Sequence, residues 1–201
     1  MIRVLIAEDQ GMVRGALKAL LAMEGDIEIV AETDRADRVV PLAVETNPEV
    51  ALLDIEMPGG DGITAAGQLR QALPACKVLI LTTFGRPGFL RRAMESGAAG
   101  FMLKDSPSHE LAVAIRRTMK GERVVDPGLA AAALSAGVSP LSDREREVLK
   151  AGQGGASIAE IARSLFLSEG TVRNYLSSAI QKLEVSNRTE AARVAEEQGW
   201  L

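Results

Sequence analysis

Val50-Ala51-Leu52-Leu53-Asp54-Ile55-Glu56-Met57-Pro58-Gly59 decides the fold. Its first four residues are uninterruptedly apolar, the mark of a strand covered on both faces of a sheet. An acid closes the run, and Pro58-Gly59 supplies a turn. The same pattern recurs on either side. Val4-Leu5-Ile6-Ala7 closes on Glu8-Asp9, Val78-Leu79-Ile80-Leu81 on Thr82, and Phe101-Met102-Leu103 on Lys104.

Amphipathic segments separate these runs. Strands are expected at Arg3–Ala7, Ile27–Glu32, Val50–Leu53, Lys77–Thr82 and Gly100–Leu103. Helices are expected at Met12–Met23, in a segment ending near Thr46, and at Gly62–Ala72, Gly88–Ser96 and Ser108–Lys120. Pro87 marks a first helical turn and Gly97 a helix end. Pro41 falls inside the second helix and should shorten or kink it. Strands alternating with helices make an α/β, doubly wound, five-stranded parallel sheet over residues 1–120. Periodicity fades from Gly121 to Val138, which reads as a linker with some helix, and an all-helical pattern follows over 139–201.

Composition bounds the function. The 201 residues suit two domains, and 47% hydrophobic with 25% charged residues suits packed cores. The single cysteine, Cys76, excludes a disulfide framework and suits a reducing compartment. No early apolar run is long enough for a signal peptide or a membrane span, so a cytoplasmic protein without membrane insertion is expected. A lone histidine, His109, speaks against histidine-based metal binding or phosphocarrier chemistry and reads as a polar residue near a helix start. The net charge is −4, and residues 139–201 hold 8 Lys/Arg against 9 Asp/Glu. DNA binding would therefore need basic groups gathered on one face.

In a parallel sheet, the carboxyl ends of the strands line one crevice. Glu8, Asp9, Asp54, Thr82 and Lys104 should therefore meet. Like charges do not share a small crevice without a counter-ion, and Mg2+ suits one or two carboxylates with phosphate oxygens. Asp54, with its following turn, is the candidate nucleophile toward phosphorus. Lys104 would neutralise one phosphoryl oxygen, and Thr82 would donate a hydrogen bond to another.

In the second half, Ser142-x-x-Glu145 and Ser157-x-x-Glu160 are capping boxes. Ser168 can cap a helix to Leu183, and Thr189 another to Gln198. Ile158–Leu165, a short turn, and Glu169–Leu183 have helix-turn-helix proportions. Val172, Leu176, Ala179, Ile180 and Leu183 form the buried stripe of the second helix. The opposite face carries Arg173, Asn174, Ser177, Ser178 and Gln181, with Lys182 at its edge. Arg and Asn can read guanine and adenine, and Thr171 at the helix start suits a DNA phosphate. An ordinary helical hairpin with a solvated face is the competing reading.

Residues 1–120, through Glu8-Asp9, Asp54 with Pro58, Thr82 and Lys104, resemble a bacterial response-regulator receiver domain. Leu141–Leu149, Ile158–Ala162 and Thr171–Tyr175 resemble the DNA-binding domain of the NarL/FixJ family. The resemblance implies a flavodoxin-like receiver in which Asp9, Asp54 and the Glu56 backbone carbonyl bind Mg2+, with Glu8 acting through water. It implies that Asp54 takes its phosphoryl group from a sensor histidine kinase. Phe101 falls where the family has a switch aromatic, working with Thr82; core packing is its alternative role. Asp105 stands where many receivers have proline, which leaves the isomer of the 104–105 bond open. The helix Thr189–Gln198 would contribute to dimerisation, and Ser177 replaces a base-reading lysine found in some members. The runs 82–88, 104–108 and 170–175 are most similar to those of family members regulating membrane-lipid desaturation.

A phosphorylation-activated, dimerising transcription regulator is the leading expectation, not an enzyme. A Mg2+-dependent phosphatase is one alternative, with Asp54-Ile55-Glu56 supplying nucleophile and second acid; it lacks a substrate-cap insertion. A helix-turn-helix that binds protein rather than DNA is another.

Overall fold

The structure, a computed structural model, describes residues 1–83, 85–135 and 139–201. The chain divides into two compact units, residues 1–85 with 90–130, and residues 131–201 with 86–89.

Over residues 1–135 the elements run in the order β1 (Ile2–Ala7), α1 (Gly11–Ala22), β2 (Ile27–Thr33), α2 (Val39–Thr46), β3 (Val50–Asp54), β4 (Glu56–Met57), β5 (Gly60–Asp61), α3 (Gly62–Ala72), β6 (Lys77–Thr82), α4 (Pro87–Ser96), β7 (Gly100–Leu103), α5 (Ser108–Met119), β8 (Val124–Val125) and α6 (Pro127–Ser135). The main sheet runs β2-β1-β3-β6-β7-β8, every neighbouring pair parallel. Successive strand residues point to opposite faces. Val4, Ile6, Val50, Leu52, Leu79, Leu81 and Met102 accordingly form one core with Leu21 of α1 and Leu111 and Ile115 of α5. Leu5, Ala51, Leu53, Ile80 and Phe101 are also buried, and α3 covers β3 and β6. Each fully buried Leu or Ile contributes about 1.5–3 kcal/mol of hydrophobic stabilisation.

The five expected strands are present, and the sheet has a sixth. β8 lies in the stretch read as a linker and continues the register Gly100↔Val124, Phe101↔Val125. A two-residue strand has no periodicity to read, yet the Val124 N–H finds the Ala99 carbonyl at 3.1 Å and β8 covers the outer edge of β7. The rest of that stretch is partly helical, as expected: α6 begins at Pro127, and Asp126 accepts from the Leu129 N–H at 2.9 Å. Residues 136–138 lie outside the described residues.

Pro41 is accommodated by shortening. A turn of 3-10 helix, Ala36–Arg38, precedes α2, so Pro41 sits in the first turn, where helical N–H groups have no intrahelical acceptor. Gly97 ends α4 at φ +91°, with the Ala98 N–H reaching back to the Ala93 carbonyl at 3.0 Å. His109 is exposed near the start of α5. Cys76 is buried, which pushes its thiol up to about 12. No helix among the described residues is long and apolar enough to cross a membrane.

The second unit holds α7 (Asp143–Ala151), α8 (Ile158–Ser164), α9 (Glu169–Lys182) and α10 (Arg188–Glu197). Both capping boxes form, and Ser168 caps α9. The cap of α10 is Asn187 rather than Thr189. The Asn187 side chain accepts from the Glu190 N–H at 2.9 Å, while the Glu190 carboxylate reaches back to the Ser186 N–H at 3.0 Å. Val172, Leu176 and Ala179 are buried with Val148, Leu149, Ile161, Ala191 and Ala195, and Ile180 and Leu183 pack at the edge.

Candidate functional site

The chain passes from β1 to β2 on one side and to β3 on the other, so the carboxyl ends of β1 and β3 flank a topological switch point. Glu8 and Asp9 follow β1, and Asp54 ends β3. Their carboxylate oxygens lie within 4.8 Å of one another. Glu8 and Asp54 are buried, while Asp9 is exposed at the rim. Lys104, one residue beyond β7, sends Nζ to 2.7 Å from Glu8 Oε2 and 2.9 Å from Asp54 Oδ2. Thr82 is buried at the end of β6, and its carbonyl accepts from the Lys104 N–H at 2.8 Å. All five side chains expected at the crevice are thus at the strand ends that line it.

The turn after Asp54 is held twice. β4 and β5 form a small antiparallel hairpin across Pro58-Gly59, with Gly59 at φ +81°. The Gly62 N–H then donates to the Ile55 carbonyl at 2.9 Å. A Cβ on residue 62 would stand 1.8 Å from the Asp54 carbonyl oxygen, so only glycine fits there. The Ile55 N–H donates to Asp54 Oδ1 at 2.8 Å and orients the carboxyl. The sequence reading did not single out Gly62, although its place beside the acidic turn was the available signal.

Burial raises the Asp54 carboxyl above its ordinary value, against the hydrogen bond from Lys104. Burial raises Glu8 in the same way. For Lys104, burial favours the neutral amine, but the two carboxylates outweigh it and hold the ammonium charged. One cation thus compensates two buried acids, and the exposed Asp9 leaves a further negative charge at the rim. Three oxygens this close could hold a hard divalent cation. The Glu56 side chain is exposed, and the cluster of three carboxylates is made by Glu8, Asp9 and Asp54. Phe101 is wholly buried, the geometry of a core residue. Among the described residues no peptide bond is cis, the 104–105 bond included.

On the second unit, Arg173, Asn174 and Ser177 are exposed on one face of α9, and Thr171 is half-buried in its first turn. Arg173 reaches Glu169 at 2.9 Å. Ser178 and Lys182, on the same helix, both reach Glu145 of α7. Ser178 Oγ donates to Glu145 Oε1 at 2.6 Å, and Lys182 Nζ lies 2.8 Å from Glu145 Oε2. Glu145 also accepts from the Ser142 N–H at 2.6 Å and is buried. Burial alone would raise its carboxyl, but the bonds from Lys182, Ser178 and Ser142 prevail and lower it to about 2. The capping box made Glu145 visible as a cap. Its partners on α9, 33 and 37 residues away, were not.

Residues 4–116 match the response regulator receiver domain, and residues 139–195 match the luxR family of bacterial regulatory proteins. Transcriptional regulatory protein DesR of Bacillus subtilis is 46% identical over the full length of both chains. Response regulator RamR of Streptomyces coelicolor is 37% identical over 100% of this chain and 98% of its own. The solved response regulator RcsB–DNA complex has a TM-score of 0.67 at 26% identity, covering 98% of each chain. The response regulator ChrA, from a heme-sensing two-component system, has a TM-score of 0.59 at 36% identity over 100% and 98%. These matches, with an acidic crevice on a doubly wound sheet and a helix-turn-helix, place this chain in the response-regulator family, as a receiver domain followed by a luxR-type DNA-binding domain.

Proposed function

We propose that Asp54 is the phosphoacceptor of a cytoplasmic transcription regulator and that its phosphorylation, by a sensor histidine kinase, drives dimerisation and promoter binding. The receiver is taken as residues 1–120, the linker as 121–138, with its residues 124–125 adding the outer strand to the receiver's sheet, and the DNA-binding domain as 139–201. The observation that carries the reading is Asp54 Oδ2, 2.9 Å from Lys104 Nζ, in a crevice where the Glu8 and Asp9 carboxylates also converge.

Asp54, Asp9 and the Glu56 backbone carbonyl would hold Mg2+, with Glu8 acting through water. Bound Mg2+ would supply positive charge to the clustered carboxylates and to the incoming phosphoryl oxygens. An Asp54 carboxylate oxygen attacks phosphorus; the bond to the donor histidine nitrogen breaks, and that nitrogen keeps the electron pair. Lys104 then neutralises a phosphoryl oxygen as a point charge, and the Thr82 hydroxyl donates to another. Drawing Thr82 inward would reshape the neighbouring surface, with Phe101 in the buried layer beside it. Arg173 and Asn174 would read base edges and Thr171 a phosphate, with Ser177 beside them.

Dimerisation follows from charge. Residues 139–201 carry 8 cations against 9 anions, so one copy makes few phosphate contacts and binds weakly at physiological salt. Two copies on adjacent half-sites double those contacts and raise the effective concentration. The similarity of the runs 82–88, 104–108 and 170–175 to desaturation regulators makes membrane-lipid desaturation genes the proposed targets. Labelling from acetyl phosphate with Mg2+, followed by sedimentation, tests the reading. Wild type should label and double in mass; Asp54→Asn should do neither. Labelling of Asp54→Asn at the wild-type level overturns it.

A further inference from the structure

We propose that Glu145 is a positioning residue that withholds Lys182 from DNA phosphates, leaving discrimination to Arg173, Asn174 and Ser177. The inference rests on the DNA-binding reading of α9. Lys182 is two-fifths exposed at the edge of the face that carries these residues, where a free ammonium would meet the DNA backbone. Its Nζ instead lies 2.8 Å from Glu145 Oε2. The second Glu145 oxygen takes the Ser178 hydroxyl at 2.6 Å, and Oε2 also takes the Ser142 N–H at 2.6 Å.

The carboxylate is thus fixed from three directions, by the cap of its own helix and by two successive turns of α9. It is almost fully buried, so it cannot follow Lys182 toward solvent. If Lys182 left for a phosphate, a buried charge would lose its counter-ion, a penalty that one exposed phosphate contact does not return. The pair has a consequence for specificity. Each lysine on a phosphate strengthens binding to any sequence, and so adds to competition from non-target DNA. Tying the cation to α7 removes that contribution while keeping α9 in place.

The test uses the full chain, treated with acetyl phosphate and Mg2+, and a random-sequence duplex titrated between 50 and 200 mM salt. Glu145→Gln keeps the capping box, because Gln also serves at that position, and it frees Lys182. Its salt dependence should steepen by about 0.9 in log–log slope, an extra loss of about 3.5-fold across that range. The double variant Glu145→Gln with Lys182→Gln should return to the wild-type slope. Trp200 emission and circular dichroism check that both variants fold. An unchanged slope in Glu145→Gln overturns the inference, as does a gain that persists in the double variant. Wild type that binds no duplex, random or selected, overturns the DNA-binding reading itself and the inference with it.

Discussion

Gly62 lies against Asp54 so closely that a side-chain carbon at residue 62 would meet the Asp54 carbonyl oxygen at 1.8 Å. The contact is backbone on backbone, with no flexible atom to yield. Gly62→Ala should therefore displace the turn that carries Asp54. Overpacking of this kind costs about 1–3 kcal/mol. A displacement near 1 Å at a reacting group slows chemistry on the order of 10²-fold. Urea unfolding and acetyl-phosphate labelling of the variant measure the two effects; normal labelling would show that the turn absorbs the methyl.

Adding Mg2+ should stabilise the first unit through Glu8, Asp9 and Asp54. At a hundredfold excess over the dissociation constant, a ligand specific to the native state contributes about 2.7 kcal/mol. Calorimetric scans with MgCl2 and with EDTA should separate for wild type and converge for Asp9→Asn. Identical scans of wild type in the two buffers would remove the cation from the site.

Arg173→Ala and Asn174→Ala should each cost about 1–3 kcal/mol on a selected DNA sequence and much less on random DNA. Both side chains are exposed on α9, opposite its buried stripe. Equal losses on the two duplexes would mean that these side chains touch only the backbone.

Acid should loosen the second unit over a defined window. The Glu145 carboxyl lies at about 2 in the folded chain against an ordinary 4.5. A lowered carboxyl contributes stability that is fully present above the ordinary value and is lost as pH falls from about 4.5 to about 2. The protein has one tryptophan, Trp200, packed at the edge of the second core, so its emission reports on that unit. Glu145→Gln should lower stability at neutral pH and flatten the acid limb. An acid limb identical to wild type would show that other carboxyls set it.

The crevice was legible because strand periodicity and strand ends are local. Val50–Leu53 announces a buried strand, and the residue after such a run must stand at the sheet edge; Glu8, Thr82 and Lys104 obey the same rule. What escaped depends on partners far along the chain or on very short elements. β8 has two residues and exists because the edge of β7 accepts it. Thr189 and Asn187 are both good caps, and the choice falls to Asn187 because Ser186 and Glu190 close the loop around it. Glu145 reads as a cap from its neighbours alone, and its hold on Ser178 and Lys182 appears only once α7 and α9 are packed.

The burial of Cys76 makes this a chain without a usable thiol. The thiolate is the reactive form, and a thiol raised to about 12 supplies almost none of it at neutral pH. Maleimide and iodoacetamide should leave the folded protein unmodified. A cysteine placed at exposed Met12 would then be the single point of attachment for a spin label or dye, with the native Cys76 left in place.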